Sequence, residues 1–576
     1  MSQLKLLQGA TDIYGVAGLL GFQASMLAYI LYKVQPTAKY VTFDIPKRAG
    51  GKRTIAAPIA QLKLAQSRLS DLLQNCVEEI ATTSGRVDHS SHGFTRKRSI
   101  ATNARMHRHR RWVFNTDIQD FFGSINFGRV WAFFQRNRDF ALQPRVATAI
   151  AQLACHQNAL PQGSPCSPVI SNLIGHILDI RLIKLAQMHG CTYSRYADDL
   201  TFSTNKRHFP RAIAMPFTPD VWVAGGDLTQ IIRKSGFALN HIKTRMQYRN
   251  SRQEVTGLVV NKKVNVRAEY RHDVRAMVHR LLNTGAYEVT KKSIDPSGNV
   301  IVAKGPGDLN QLHGMLGFID GVDLLNRRLP KVPGAVRESL SSKEETYGRF
   351  LLYKDFYAAN SPVLLCEGAT DNIYLLHAIR QMAKQNPDLA AIDPAGKISL
   401  KLRLFKYTKS STGRILGIKG GAGDLKNWMS RYERAMREFK APGKQNPVVV
   451  VVDSDDAAKG IWSFVQSITK QKPTSSDPYT HVRGNLYVVP VPLPPGQLSA
   501  AIECGFDAAT LAIKVDGKSF CADKTFDEKL HFGKMVFAHR VVTPNADAIN
   551  FKGFTQLLTN ISKAIADHRK RYPPTP

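Results

Sequence analysis

Residues 192–203 read Thr192-Tyr193-Ser194-Arg195-Tyr196-Ala197-Asp198-Asp199-Leu200-Thr201-Phe202-Ser203. Two strand-like runs, Thr192 to Arg195 and Leu200 to Ser203, flank an adjacent pair of carboxylates. The pattern predicts a β-hairpin with Asp198 and Asp199 at its tip. On its own, an aspartate pair in a turn is as readily a solvated loop as a site. Its neighbours change that balance. Upstream, Val113-Phe114-Asn115-Thr116-Asp117-Ile118-Gln119-Asp120-Phe121-Phe122 reads as an apolar strand that ends on Asp117. Phosphoryl transfer with two divalent ions, held about 3.5–4 Å apart, needs carboxylates that bridge both. Asp117 and Asp198 supply that bridge if strand and hairpin lie side by side, with Asp199 the weaker claimant to direct ligation.

A third stretch, Leu160-Pro161-Gln162-Gly163-Ser164-Pro165-Cys166-Ser167-Pro168, lies between them. Gly163 allows close backbone approach, and Gln162 can contact a template base or an incoming nucleotide. Alone, it is also an ordinary proline-rich loop. A helix is predicted from about Ser167, with Pro168 suited to its first turn. Further out, Tyr40 to Pro58 reads as a hairpin: Val41, Phe43 and Ile45 alternate, Ala49-Gly50-Gly51 turns, and Thr54-Ile55 resumes. Ile59 to Ile80 has helical apolar spacing at Leu62, Leu69, Leu72, Leu73 and Val77. Residues 265–325 read as helical.

In this order the three stretches resemble the palm motifs of reverse transcriptases. Asp117 matches the first catalytic aspartate, Gln162-Gly163 the nucleotide-proximal loop, and Tyr196 to Asp199 the YxDD hairpin. Ile45-Pro46-Lys47-Arg48 with Gly51, Arg53, Ile55 and Pro58 is similar to the fingers hairpin, whose basic residues hold the triphosphate. Gly236-Phe237-Ala238-Leu239-Asn240 with Lys243 is similar to the motif after YxDD. The resemblance implies a right-hand polymerase of fingers, palm and thumb, with two Mg2+ ions held by Asp117, Asp198 and Asp199. It places Lys47, Arg53, Phe122, Gln162, Gly163 and Lys243 around the nucleotide. An aromatic at Phe122 crowds out a 2′-hydroxyl in this family, so deoxynucleotides are the implied substrate. Simple core packing is the alternative reading of Phe121-Phe122.

Two further motifs narrow the resemblance. Asn103-Ala104-Arg105-Met106-His107 matches the NAxxH box of bacterial retron reverse transcriptases, and Val255-Thr256-Gly257 matches their VTG box. The match covers roughly residues 10–320. Such enzymes bind a dedicated structured RNA, prime from the 2′-hydroxyl of an internal guanosine, and leave a short single-stranded DNA branched to its RNA. The resemblance gives Asn103, His107, Val255, Thr256 and Gly257 to RNA recognition. Arg245, Arg249, Arg252, Lys262, Lys263 and Arg267 flank the VTG box, where they can meet phosphates or form a solvated basic face. His107 reads equally as a core histidine. A second basic run, with Arg96, Lys97, Arg98, Arg105, Arg108, Arg110 and Arg111, has no acidic residue between Asp88 and Asp117.

Residues 326–360 turn polar and charged and read as a linker between a polymerase at 1–325, with its thumb from about 250, and a domain at 361–576. That domain opens with Val363-Leu364-Leu365-Cys366-Glu367-Gly368-Ala369-Thr370-Asp371, an apolar strand ending on Glu367. Val448-Val449-Val450-Val451-Val452-Asp453-Ser454-Asp455 repeats the design, and Gly420-Gly421-Ala422-Gly423 supplies a flexible loop. Strands this apolar lie buried in parallel sheets, and carboxylates past their C-terminal ends sit in the usual ligand crevice. Such oxygen donors suit Mg2+ or Mn2+. The pattern resembles the Toprim fold, nearest to nucleases of the overcoming-lysogenization type. The resemblance implies proton transfer by Glu367, metal binding by Asp453 and Asp455, and Asp371 and Glu503 as further ligands.

Bulk composition agrees. The 576 residues carry a formal net charge of +34 and 43% hydrophobic residues, so the chain can bury a core and favours a polyanionic partner. Seven cysteines, none in a CxxC pair, indicate neither a zinc site nor a disulfide framework and fit a reducing, cytoplasmic setting. Ile13 to Tyr32 is uncharged, yet its glycines and polar residues read as a buried helix or helix pair and not as a membrane anchor. The expectation is an α/β and α+β multidomain chain: a retron reverse transcriptase with a Toprim effector in anti-phage defence. Its implied partners are a structured RNA, its branched DNA product and deoxynucleotides, with a homo-oligomer left open. The rivals are a group II intron-like enzyme and a nucleic-acid scaffold with an inactive Toprim module.

Overall fold

A computed structural model describes residues 2–47, 50–85, 89–218, 220–295, 299–327, 340–406, 411–473, 477–523 and 525–573. Arg48 of the fingers hairpin and residues 328–339 of the polar stretch lie outside them. The chain divides into two compact units; the first runs to Arg271 and takes in Thr290–Gly305 and a short stretch after Val322.

The first unit is built around the strand Trp112–Gln119. It pairs antiparallel with Asp199–Thr204, which in turn pairs with Thr192–Tyr196. On its other side Arg245–Tyr248 and Ala238–Leu239 pair with its first and last residues. Phe114, Ile118, Leu200 and Phe202 are buried in one core with the helices Ala60–Ser84, Pro144–Ala154 and Ser167–Met188. The last of these buries Val169, Ile170, Ile174, Leu178, Leu182 and Leu185 and leaves Arg181 and Lys184 exposed. The hairpin Tyr40–Pro46 with Lys52–Pro58 forms as expected, with Phe43 opposite Ile55 and Ile45 opposite Arg53.

Three expectations need correction. The strand does not end on Asp117; it runs two residues further, because Ile118 and Gln119 find partners in Leu239 and Ala238. Residues 265–325 are not continuously helical. The helices Ala268–Thr284 and Leu309–Asn326 are separated by the paired strands Glu288–Ile294 and Val300–Pro306, where β-branched residues cluster on either side of a turn. Nor does the stretch after 340 behave as a linker. Ser341 and Glu344 form a reciprocal capping box, and Ser342–Leu352 is a helix that buries Tyr347, Phe350, Leu351 and Leu352. Its charged residues had suggested solvent, but Glu344 is buried against Arg414, which also binds Asp320.

The boundary near 325 is likewise not a clean cut. Residues 272–289 and 306–321 belong to the second unit. There the Leu282 carbonyl accepts from the Lys440 and Ala441 amides, and the His313 ring packs on Tyr347 and Phe350.

The second unit holds a five-stranded sheet in the order Arg403–Leu404, Val363–Leu365, Val448–Val452, Leu486–Pro490, Thr480–Arg483. The first four are parallel and the edge strand Thr480–Arg483 is antiparallel. Val448–Val452 is buried along its whole length.

Among the described residues no single helix is long and apolar enough to cross a membrane. Ile13–Leu19 and Ala24–Lys33 form a helix pair bent by 111°, with Val16, Ala17, Leu27 and Ile30 in the core.

Candidate active site

Tyr196 pairs with Asp199 across the hairpin, so the loop is the two residues Ala197 and Asp198. Ala197 has φ +56°, the left-handed conformation that such two-residue turns demand. Asp199 therefore begins the second strand, where it is the cross-strand partner of Asp117. The Ile118 amide donates to the Asp198 carbonyl at 2.9 Å, which docks the turn on the central strand.

This register presses carboxylates together. Burial, then the Asp117 charge, pushes the Asp198 carboxyl above its ordinary range. Asp199 is pushed up to about 6 by the protein packed around the hairpin and by Asp198 and Asp117, although its side chain reaches the surface. Lys243 Nζ donates to Asp117 Oδ2 at 2.8 Å, and the Asn240 amide donates to the Asp117 carbonyl at 2.8 Å. Crowded carboxylates that hold protons above their usual range, compensated by one ammonium, form a donor set suited to cations. Asp117 and Asp198 fit a divalent ion, and Asp199 lies beside them. Among the described residues, no three His, Cys, Asp or Glu side chains already stand in ligand geometry.

The hairpin is held from behind. Arg195 is fully buried and donates to both carboxylate oxygens of the equally buried Asp179, at 2.8 and 2.7 Å. Its Nη1 donates to the Ala197 carbonyl at 3.1 Å. The sequence reading missed Arg195; the signal was a charged residue within a short strand, next to the turn.

Gln162 and Gly163 sit against the fingers hairpin. The Ala56 amide donates to the Gln162 carbonyl at 2.8 Å. Gly163 has φ +127°, and a Cβ there would lie 2.5 Å from the Ala56 carbonyl oxygen. Its requirement for glycine thus comes from the fingers strand. Lys47 and Arg53 are exposed on that hairpin. Phe121 is buried and stacks on Phe237, while Phe122 is half-buried with its ring 5.6 Å from that of Phe121.

The two retron boxes require correction. Asn103 and His107 are wholly buried and cannot touch RNA directly. Ser194 Oγ donates to Asn103 Oδ1 at 2.5 Å. His107 Nε2 and Nδ1 lie 2.7 Å from Ser194 Oγ and Ser203 Oγ, one serine on each hairpin strand. With the Ser194 proton directed to Asn103, His107 Nε2 donates and Nδ1 accepts. Burial, then the charges of Arg110 and His92, lower its pKa to about 3, so the ring is neutral. Val255 is also buried. It pairs with Leu258 around a two-residue turn in which Thr256 and Gly257 have φ +47° and +79°. Thr256 Oγ1 donates to the Ile100 carbonyl at 3.1 Å, at the start of the helix that carries Asn103. Both boxes are therefore parts of one scaffold behind the Asp198 hairpin. Gly257, Arg245 and Arg249 are exposed.

The second unit gathers its own carboxylates. Val363–Leu365 and Val448–Val452 are neighbours, so Glu367 and Asp453 follow the ends of adjacent strands. Glu367 Oε1 accepts from the Ala422 amide at 3.1 Å, and its Oε2 is buried without a hydrogen-bond partner. Asp453 Oδ1 accepts from the Ile502 amide at 3.0 Å. Burial, then Asp371, Glu367 and Glu503, push Asp453 up to about 7. Burial also raises Glu367, with Asp455 as the next cause, and it raises Asp371, whose Oδ2 accepts from the Gly368 amide at 2.7 Å. Asp455 is exposed and caps the short turn that follows, accepting from the Ala457 and Ala458 amides. Glu503 binds Lys534 at 2.9 Å and leaves its Oε1 buried without a partner. Unpartnered buried carboxylate oxygens fit a cation. Lys534 was missed because it lies in no motif.

Residues 45–266 match the family model described as reverse transcriptase (RNA-dependent DNA polymerase). The chain is 36% identical over 266 residues to the retron Mx162 reverse transcriptase of Myxococcus xanthus, covering 43% of this chain and 52% of that one. It is 34% identical over 306 residues to the retron Mx65 reverse transcriptase of the same organism, covering 49% and 65%. It is 30% identical over 246 residues to the retron Ec86 reverse transcriptase of Escherichia coli, covering 42% and 70%. The matches thus span 52% and 65% of the two Myxococcus relatives. Motifs, sheet register and the coverage of the Escherichia coli relative agree: the chain belongs to the retron reverse transcriptases.

Proposed function

We propose that the chain is an RNA-directed DNA polymerase that copies part of a dedicated structured RNA into a short single-stranded DNA branched to that RNA. The observation that carries this reading is the register that pairs Asp117 on the central strand with Asp199, docks the Asp198 turn through the Ile118 amide and brings Lys243 onto Asp117. Asp117 and Asp198, with Asp199 beside them, would hold Mg2+; when bound, it would activate the attacking hydroxyl and stabilise the leaving oxygen. Lys243 offsets carboxylate charge at the site. Lys47 and Arg53 offer exposed cations to a triphosphate, and Gln162 with Gly163 frames the pocket from the fingers side. Phe122 selects a deoxy sugar by bulk. Arg245 and Arg249 reach RNA phosphates, and the exposed Thr256-Gly257 turn presents backbone to the RNA. Asn103, His107 and Val255 support that surface from within.

We further propose that the second unit is a Toprim-like, metal-dependent nuclease that acts as the effector of an anti-phage system. Support comes from the parallel sheet with Glu367 and Asp453 at adjacent strand ends and from their unusual proton affinity. Glu367 would carry a proton, and Asp453, Asp371, Glu503 and Asp455 would hold Mg2+ or Mn2+.

The test is to purify the protein from cells carrying its native locus and to treat the bound nucleic acid with ribonuclease, deoxyribonuclease and debranching enzyme. A short DNA joined to RNA, absent with Asp198→Ala, is expected. Bound RNA with no linked DNA in either preparation contradicts the branched product. For the second unit, Glu367→Ala is expected to abolish phage protection; full protection with that variant contradicts the effector reading.

A further inference from the structure

The segment Ser90 to Phe94 presses on the outer strand of the catalytic hairpin. The His92 amide donates to the Arg195 carbonyl and the Arg195 amide to the Ser90 carbonyl, each at 2.8 Å. Asn172 Nδ2 donates to the Gly93 carbonyl at 2.6 Å, and Thr95 Oγ1 also reaches that oxygen at 3.3 Å. Gly93 lies so close to the turn that a Cβ would stand 2.5 Å from the Ala197 amide nitrogen, one residue from Asp198. The next residue is Phe94. Its backbone is left-handed, φ +58°, a conformation that aromatic residues rarely adopt. The residue is 40% exposed, and its ring centroid is 6.0 Å from that of Phe122, which follows the central strand.

An apolar ring left in solvent gains little from folding, and a left-handed phenylalanine is strained. Here the surrounding hydrogen bonds enforce both. Lys97 follows on the same exposed stretch. An exposed aromatic face is a surface on which a base can stack without its sequence being read.

We propose that Phe94 is a nucleotide-binding residue: beside Phe122 it forms an apolar wall against a nucleotide face at the point of synthesis. The inference rests on the polymerase reading. The flat face it meets belongs either to the incoming nucleotide or to the primer–template, and the two sources separate kinetically.

The experiment uses the full chain, a DNA primer on an RNA template, and single-nucleotide incorporation by Phe94→Ala, Phe94→Leu and Phe94→Trp. Melting temperature is followed in parallel. Alanine and leucine are expected to raise one constant by about five- to 150-fold, with tryptophan restoring it. A rise in KM for the nucleotide places the ring on the incoming nucleotide; a rise in Kd for primer–template places it on the template duplex. Leucine matching wild type in both constants overturns the proposal, as does a loss of activity that only tracks the melting temperature. Absence of extension by the wild-type chain would instead count against the polymerase reading.

Discussion

Lys243 Nζ stands 2.8 Å from Asp117 Oδ2, and the charge of Asp117 in turn helps to raise the Asp198 carboxyl above its ordinary range. One ammonium thus serves a carboxylate pair that a divalent ion would also claim. Lys243→Met is expected to have two opposite effects. The maximal rate of nucleotide incorporation falls, while the Mg2+ concentration giving half that rate also falls, because a competing cation is gone. A Mg2+ titration of primer extension checks both. An unchanged Mg2+ requirement would place Lys243 outside the metal's field.

Arg195 and Asp179 form a fully buried ion pair that also holds the Ala197 carbonyl. Removing one partner of such a pair costs about 3–5 kcal/mol, whereas replacing both with apolar groups is often neutral. Arg195→Met is therefore expected to lower stability by that amount. Arg195→Met with Asp179→Leu is expected to recover most of the stability but not the rate, because the catalytic turn still lacks its donor. Denaturant unfolding and primer extension on the same samples separate the two effects.

His107 is neutral in the folded chain, with its pKa lowered to about 3 from 6.5. Between these values the unfolded chain binds a proton that the folded chain refuses, so stability is lost as pH falls from 6.5 toward 3. The slope from this group is at most about 1.4 kcal/mol per pH unit. His107→Gln is expected to flatten that slope and to lower stability at neutral pH through its altered bonds to Ser194 and Ser203. Urea midpoints at pH 7, 6 and 5 measure it.

The second unit has the opposite sign. Asp453 is raised to about 7 from 3.8, so in metal-free protein the folded state holds a proton that the unfolded state has released. Its stability falls as pH rises from about 4 through 7. Melting temperature without metal is expected to rise on acidification from pH 8 to pH 6, and Asp453→Asn or added Mg2+ should remove most of that rise. The same slope in the presence of Mg2+ would show that Asp453 does not meet the ion.

The candidate site around Asp117 was legible because its carboxylates are written in short segments. Asp117 lies in an apolar strand, and the two-residue turn with Asp198 forces strand pairing within a dozen residues. The strand ends at Glu367 and Asp453 were legible for the same reason. What the sequence hid depends on long-range packing. Arg195 and Asp179 are 16 positions apart and meet only because a helix lies behind the hairpin. For His107 the sequence offered both an RNA contact and a core histidine, and its enclosure by Ser194 and Ser203 decides for the core. Lys534 reaches Glu503 across 31 positions with no motif. Charge misled at residues 341–352, where a capping box and a buried Glu344 make a helix out of a segment that looked solvated.

The most direct test of the central claim is deoxynucleotide incorporation on an RNA template by the purified full chain, with its own RNA present and Mg2+ supplied, alongside Asp198→Ala. Template-directed DNA synthesis by the wild type and none above background by the variant is the expected result. Equal synthesis by both proteins, or none by the wild type, would contradict it.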